Sequence, residues 1–152
     1  MSQYDKSNYA TSAPTYPPFD KAWITKGITT PCIEFAEKFG RAMASGPEKK
    51  RLTTSQLRNF FGEVRRIQMK GLAESTTDFL LLRPKLAYAA ARSDSGGHSD
   101  GEVSKAKDFD KEMQKALEAV NPDELTGREQ RFQNFCDLLE AILAYHKVGG
   151  GK

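Results

Sequence analysis

Hydrophobic residues recur along this chain at helical spacing, in blocks separated by Gly, Pro and Ser. The clearest block is Leu57, Phe60, Phe61, Val64 and Ile67. These stand at i, i+3, i+4, i+7 and i+10, which predicts a helix half-buried along one side. Thr53 precedes the block with Gln56 three residues on, a capping-box pattern, and Gly71 is the expected stop. An earlier helix is predicted to begin at Thr30 with Pro31 in its first position, where a missing N–H costs nothing. Ile33, Phe35, Ala36, Phe39 and Met43 give it an apolar side, and Ser45-Gly46-Pro47 ends it. A third helix is expected from near Thr77 to Arg92, kinked or restarted at Pro84. Its Ala87, Ala89, Ala90 and Ala91 favour helix and let a neighbour approach closely. A fourth begins around Ser104, carries Phe109, Met113, Leu117 and Val120, and stops at Asn121-Pro122. After a turn near 124–128, the last helix carries Phe132, Phe135, Leu139, Ile142 and Leu143 and closes at glycines 149–151. No segment sustains the period of two that marks a strand. The pattern predicts an all-α, compact bundle of about five helices without internal repeats.

Residues 1–26 carry no such period. They are polar and contain Pro14, Pro17 and Pro18, so a disordered N-terminal tail is expected ahead of a single helical domain over 27–152. The aromatics Tyr4, Tyr9, Tyr16, Phe19 and Trp23 then belong to a loosely collapsed tail, and removal up to about Trp23 is expected to leave the fold intact. Residues 93–101, SDSGGHSDG, read as a flexible loop. A length of 152 residues suits one domain. No apolar run approaches the ~20 residues that span a bilayer. The opening MSQYDKSNYATSAPTYPP lacks the apolar centre of a secretory signal, so a cytoplasmic location is expected. Cys32 and Cys136 belong to no CxxC pair and are read as buried thiols.

Charge changes the picture more than composition does. Residues 49–92 hold ten basic residues and three acidic ones, a local +7, while the rest of the chain holds 13 basic and 17 acidic, or −4. The overall +3 hides this split. Such asymmetry is the footprint of a surface laid against a polyanion, and its plain alternative is a solvated helix face. Arg58 and Arg65 are seven residues apart, almost two turns, and so point the same way; Lys85 and Arg92 repeat the arrangement on the next helix. Two such rows, each with ~10 Å between its cations, suit a phosphate backbone and together suggest one phosphate-tracking surface. Lys49, Lys50 and Arg51 precede a helix N-terminus, where free N–H groups also favour anions. Thr53, Thr54 and Ser55 add hydroxyls there. With Arg66, the candidate RNA-binding set is Lys49, Lys50, Arg51, Arg58, Arg65, Arg66, Lys85 and Arg92. Apart from Tyr88 few aromatics interleave with these charges, which points to backbone contact without base readout.

Catalytic chemistry is not indicated. The sequence has no GxSxG, phosphate-cradling glycine loop or HExxH, and no carboxylate pair stands apart from the general surface charge. Asp94, His98 and Asp100 have metal-ligating chemistry, but their Gly/Ser loop reads as solvated. His146, near the end of the last helix, reads as a dipole partner rather than a base. No enzyme activity, cofactor or metal is expected.

Three stretches together resemble a known family: LTTSQLRNFFGEVRRI (52–67), LLLRPKLAYAAAR (80–92) and FCDLLEAILAYHKVGGGK (135–152). In this order they are similar to the small helical subunit of type III-A CRISPR–Cas effectors, the Csm small subunit. The resemblance implies a non-catalytic protein, present in several copies, forming an inner filament beside the guide-bearing backbone subunits. Its expected partners are the CRISPR guide RNA and target RNA, contacted without sequence preference, together with the Csm backbone and large subunits and other copies of itself. It places Arg58 in the SQLR motif, Lys85 in RPKLAY and Arg92 at that motif's end. An alternative is a helical adaptor whose basic face meets an acidic protein. A small helix-turn-helix DNA binder is weaker, because the 71–77 connection exceeds the usual turn and no polar recognition helix follows it.

Overall fold

The computed structural model describes residues 15–93 and 104–152. Six α-helices follow one another, with no strand among the described residues: α1 (Ala22–Thr25), α2 (Thr30–Met43), α3 (Thr54–Lys70), α4 (Thr76–Ser93), α5 (Lys105–Val120) and α6 (Arg128–Val148). A 3₁₀ turn, Glu48–Lys50, leads into α3. Five long helices match the periodicity; the short α1 is the addition.

α6 is the axis of the bundle, packed against α1, α2, α3 and α5. Its Phe132, Phe135, Leu138, Leu139 and Ile142 are all buried. α2 crosses it at Gly40, where a methyl group would lie 2.8 Å from the Ile142 carbonyl oxygen and 2.9 Å from the His146 amide. Glycine is what permits that approach. Arg131 closes the α5–α6 connection, its guanidinium donating to the Val120, Asn121, Glu124 and Thr126 carbonyls. α4 lies at the side of the bundle, packed chiefly on α5 and α3.

Local chemistry sets most boundaries. The Thr53–Gln56 capping box closes as the sequence implied, and Gly71 ends α3 at φ 99°. Thr29 caps α2 by accepting from the Cys32 amide. Asn121 takes the left-handed conformation after α5. On α2 the buried stripe is Cys32, Phe35, Ala36, Phe39 and Met43, whereas Ile33, assigned to that stripe, is 38% exposed. α4 is assigned as one helix through Pro84, without a restart. Pro84 stands on the exposed side, where water can satisfy the carbonyl its missing N–H leaves unpaired.

The domain boundary at residue 27 needs correction. Trp23 and Ile24 are in the core, and Tyr16 and Phe19 pack against it. Trp23 lies 5.3 Å from Phe35 between ring centroids, and Tyr16 meets Phe39 edge-on at 4.8 Å. Asn134, buried on α6, donates to the Ile24 carbonyl at 2.9 Å. The segment carries no helical period because aromatic docking, not amphipathic helix formation, holds it. Expectations for residues 1–14 and for the loop at 94–101, His98 included, lie outside the described residues.

Candidate nucleic-acid interface

α3 and α4 bring the candidate cations to the surface in two separate rows. Arg58 and Arg65 lie exposed on one flank of α3. Arg58 makes no hydrogen bond or ion pair among the described residues, which leaves its guanidinium available. Arg65 donates to Gln68 at 3.1 Å and stands 5.9 Å over the Phe61 ring. This flank turns toward α6: Gln68 bonds Gln133 on that helix, and the charge of Arg65 acts on the Cys136 thiol. Burial, helped by Asp137 and opposed by Arg65, pushes that thiol up to about 12.

The second row looks elsewhere. Lys85 lies 3.5 Å from Glu63, and Arg66 pairs with the same carboxylate at 2.6 Å. The Arg66 hydrogen bond, aided by Lys85, holds the Glu63 carboxyl below its ordinary range. Glu63 lies roughly 140° around α3 from Arg58 and roughly 160° from Arg65, at 3.6 residues per turn. The two rows therefore do not share one face. They bound a curved band across the outer side of α3, with Arg66 between them and Glu63 as its acid. Arg92 continues the band along α4, its guanidinium 6.0 Å from the Tyr88 ring centre. Between α3 and α4 runs a groove of about 590 Å³ lined by Asn59, Glu63, Lys85, Ala89 and Arg92 over a floor that includes Phe60 and Phe109.

The N-terminal end of α3 contributes less than its composition promised. Lys49 is exposed, but Lys50 is only 5% exposed within the 3₁₀ turn, so a phosphate does not reach it without rearrangement. Arg51 donates from Nε to the Gly46 carbonyl at 2.7 Å and braces the loop. The capping box uses the Thr53 hydroxyl and the Thr53 and Gln56 amides. The Thr54 hydroxyl is buried without a hydrogen-bond partner, which leaves Ser55 as the exposed residue of the three outside the capping box.

Sequence reasoning missed three arrangements. Glu63 interrupts the positive band, a pairing readable from the i,i+3 spacing to Arg66. Gln56 ties the start of α3 to the end of α4 through Ser93 Oγ at 2.7 Å. His146 is fully enclosed, its Nε2 lying 2.6 Å from the Leu52 carbonyl oxygen, so it braces the segment entering α3 rather than the end of its own helix. Cys32 and Cys136 are buried free thiols. No group of three or more His, Cys, Asp or Glu suited to a metal occurs among the described residues. No helix of the described residues is long and apolar enough to cross a membrane.

No curated protein and no solved structure matches this chain. A family model does: Csm2 Type III-A matches residues 31–152, which takes in α2 to α6 and every cation of the band. The chain belongs to the Csm2 type III-A family, small subunits of the type III-A CRISPR–Cas Csm complex.

Proposed function

We propose that this chain is a non-catalytic subunit that lies along the backbone of guide and target RNA without reading their bases, in several copies, in the cytoplasm beside the Csm backbone and large subunits. One observation carries the reading: exposed Arg58, Arg65, Arg66, Lys85 and Arg92 form a positive band across α3 and α4, within the +7 segment of a chain that is otherwise −4. Lys49 extends the set toward the loop before α3; Arg51 braces that loop, and Lys50 is buried in its 3₁₀ turn. Guanidinium and ammonium groups meeting phosphates release counterions and give affinity without sequence information. Guide pairing supplies the specificity, as in other RNA-guided effectors.

The test is binding of labelled, unrelated single-stranded RNAs across a salt series. A linear log–log dependence is expected. Arg58→Ala and Lys85→Ala should each lower the slope by about 0.7 per lost phosphate contact, equally for every sequence. No cleavage of RNA is expected with magnesium or manganese present. Unchanged slopes in both variants, with capture of an acidic protein blocked by the same substitutions, would favour the adaptor reading.

A further inference from the structure

Two glycines stand inside the long helices of the described residues, and the chain's own packing explains one of them. Gly40 in α2 lets the α6 backbone approach. Gly62, at the middle of α3, is exposed, and nothing beyond its own helix lies within 4 Å of where a Cβ would stand. It is not among the glycines at positive φ, so other residues fit its conformation. Glycine inside a helix is less stable than alanine because it loses more backbone freedom on folding. No contact among the described residues offsets that loss. The surroundings of Gly62 are cationic. Arg58 and Asn59 stand one turn before it, Arg65 and Arg66 one turn after it, and all four are exposed. At 3.6 residues per turn, each lies within roughly 60° of Gly62 around the helix. The Arg65 guanidinium lies over Phe61 and that of Arg66 meets Glu63. Phe61 and Glu63 are the sequence neighbours of Gly62, so the two guanidiniums stand at its level, one on each side.

We propose that the bare backbone of α3 at Gly62 is the seat of one RNA phosphate, which rests on the helix itself with Arg65 and Arg66 on either side and Arg58 one turn away. The inference deepens the reading of the chain as an RNA-backbone binder and rests on it. Charge selects an anion, and the missing Cβ selects the kind. A carboxylate on a protein side chain reaches an arginine from the end of its own stem, past a methyl group, and has no use for a glycine. A phosphodiester carries its charge on the main chain of the strand, so its whole backbone must come close to meet three guanidiniums at once. A crossing helix of another protein would also approach closely, as α6 does at Gly40, but it would strip water from three arginines without supplying their counter-charge. Gly62 lies on the outer side of α3, between the row of Arg58 and Arg65 and the pair of Glu63 with Lys85. A phosphate seated there joins the two rows, which otherwise face different ways, and carries the strand across α3 rather than along it.

The test sets stability against binding in the full chain, using thermal melts and labelled single-stranded RNA across a salt series. Gly62→Ala should raise the melting temperature by about 2–4 °C, from helix propensity alone, and weaken RNA binding. Gly62→Leu adds bulk without charge and keeps a strong helix former. It should melt no lower than the native chain and lower the salt slope by about 0.7, one phosphate contact, with every arginine in place. A more stable protein that binds RNA less tightly cannot be explained by damage to the fold. Native affinity and slope in Gly62→Leu would overturn the inference; a slope still lowered by Arg58→Ala would then leave the RNA reading standing without it. A native chain that binds no RNA would remove both. A lower melting temperature for Gly62→Ala would show that the position is not open, and would also overturn it. So would Gly62→Leu that binds RNA normally but no longer assembles with the Csm backbone subunits, which would assign the patch to a protein.

Discussion

α6 and α4 are the two helices whose apolar residues do not fall on one stripe, and they have opposite fates. α6 buries a wide arc, from Asn134 and Leu138 round to Phe135 and Ile142, because α1, α2, α3 and α5 pack along it. α4 has neighbours on one side, and Leu80, Leu81 and Tyr88 face outward. The two helices are therefore weakly amphipathic for different reasons: α6 buries a wide arc and leaves a stripe with Gln133, Asp137, Glu140 and Lys147 exposed, whereas α4 also exposes apolar side chains on the side away from α3 and α5. In α6 the cover is intramolecular. In α4 the outer side is uncovered among the described residues, and the positive band runs beside it.

The largest effect should come from the same kind of change made in both helices. Phe135 is fully buried, so Phe135→Ala should cost about 3–5 kcal/mol by cavity formation. Leu81→Ala, at a side chain 44% exposed, should stay within about 0.5 kcal/mol. Urea melts of both variants measure the difference. A Leu81→Ala loss comparable with that of Phe135→Ala would mean that part of this chain already covers the outer face of α4.

Next comes the cover that α1 gives α6. Trp23 is 7% exposed and contacts Phe19 and Phe35, and Ile24 is completely buried. Trp23→Ala should therefore cost about 3 kcal/mol or more, and removal of residues 1–24 should cost at least as much. Thermal melts followed by circular dichroism check both. A deletion that melts like the full chain would return the segment to the status of a tail and leave α6 uncovered on that side.

A third contrast leaves stability nearly untouched. Cys136 on α6 is 4% exposed, and burial raises its thiol to about 12; Cys32 is fully buried and raised to about 11. Both should resist a thiol reagent in the native protein and react on denaturation. Ala87→Cys, on the outer side of α4, should react as an exposed thiol. Mass spectrometry of modified species against time counts the groups. Rapid native labelling of Cys136 would show that α6 opens locally far more often than its packing implies.

The elements were legible where their chemistry is local. The capping box at Thr53 and Gln56, the Gly71 stop and the stripe from Leu57 to Ile67 are read from residues three and four apart, and the structure keeps them. What depends on distant partners was not legible. α1 has four residues and no period, and Trp23 is held by Phe35 on another helix. His146 braces Leu52, 94 residues away in sequence. At the candidate interface the identity of the cations was readable, but not their arrangement. Helical spacing gives the direction of Arg58 and Arg65 about α3, and of Lys85 and Arg92 about α4. It says nothing of how the two helices are rotated toward each other, which is what separates the rows.

The smallest expected change in stability belongs to Glu63, at the seam between α3 and α4, and it bears most directly on what the uncovered edge is for. Its carboxylate holds Arg66 at 2.6 Å and Lys85 at 3.5 Å, with the Glu63 side chain 35% exposed. An exposed pair contributes only ~0–1 kcal/mol, so Glu63→Gln should cost less than about 1 kcal/mol at neutral pH. The sign with pH follows from the depressed carboxyl. Its stabilisation is complete above the ordinary Glu value of about 4.3 and is lost as the pH falls through the lower folded value. Melts of the two proteins should therefore differ slightly at pH 7 and converge on acidification. RNA binding should move the other way. Removing the acid within the band adds one net positive charge, so Glu63→Gln should tighten binding at low salt, with the gain fading at high salt as screening takes over. Weaker binding by Glu63→Gln would instead show that Arg66 and Lys85 must be held in place by the carboxylate to meet a phosphate.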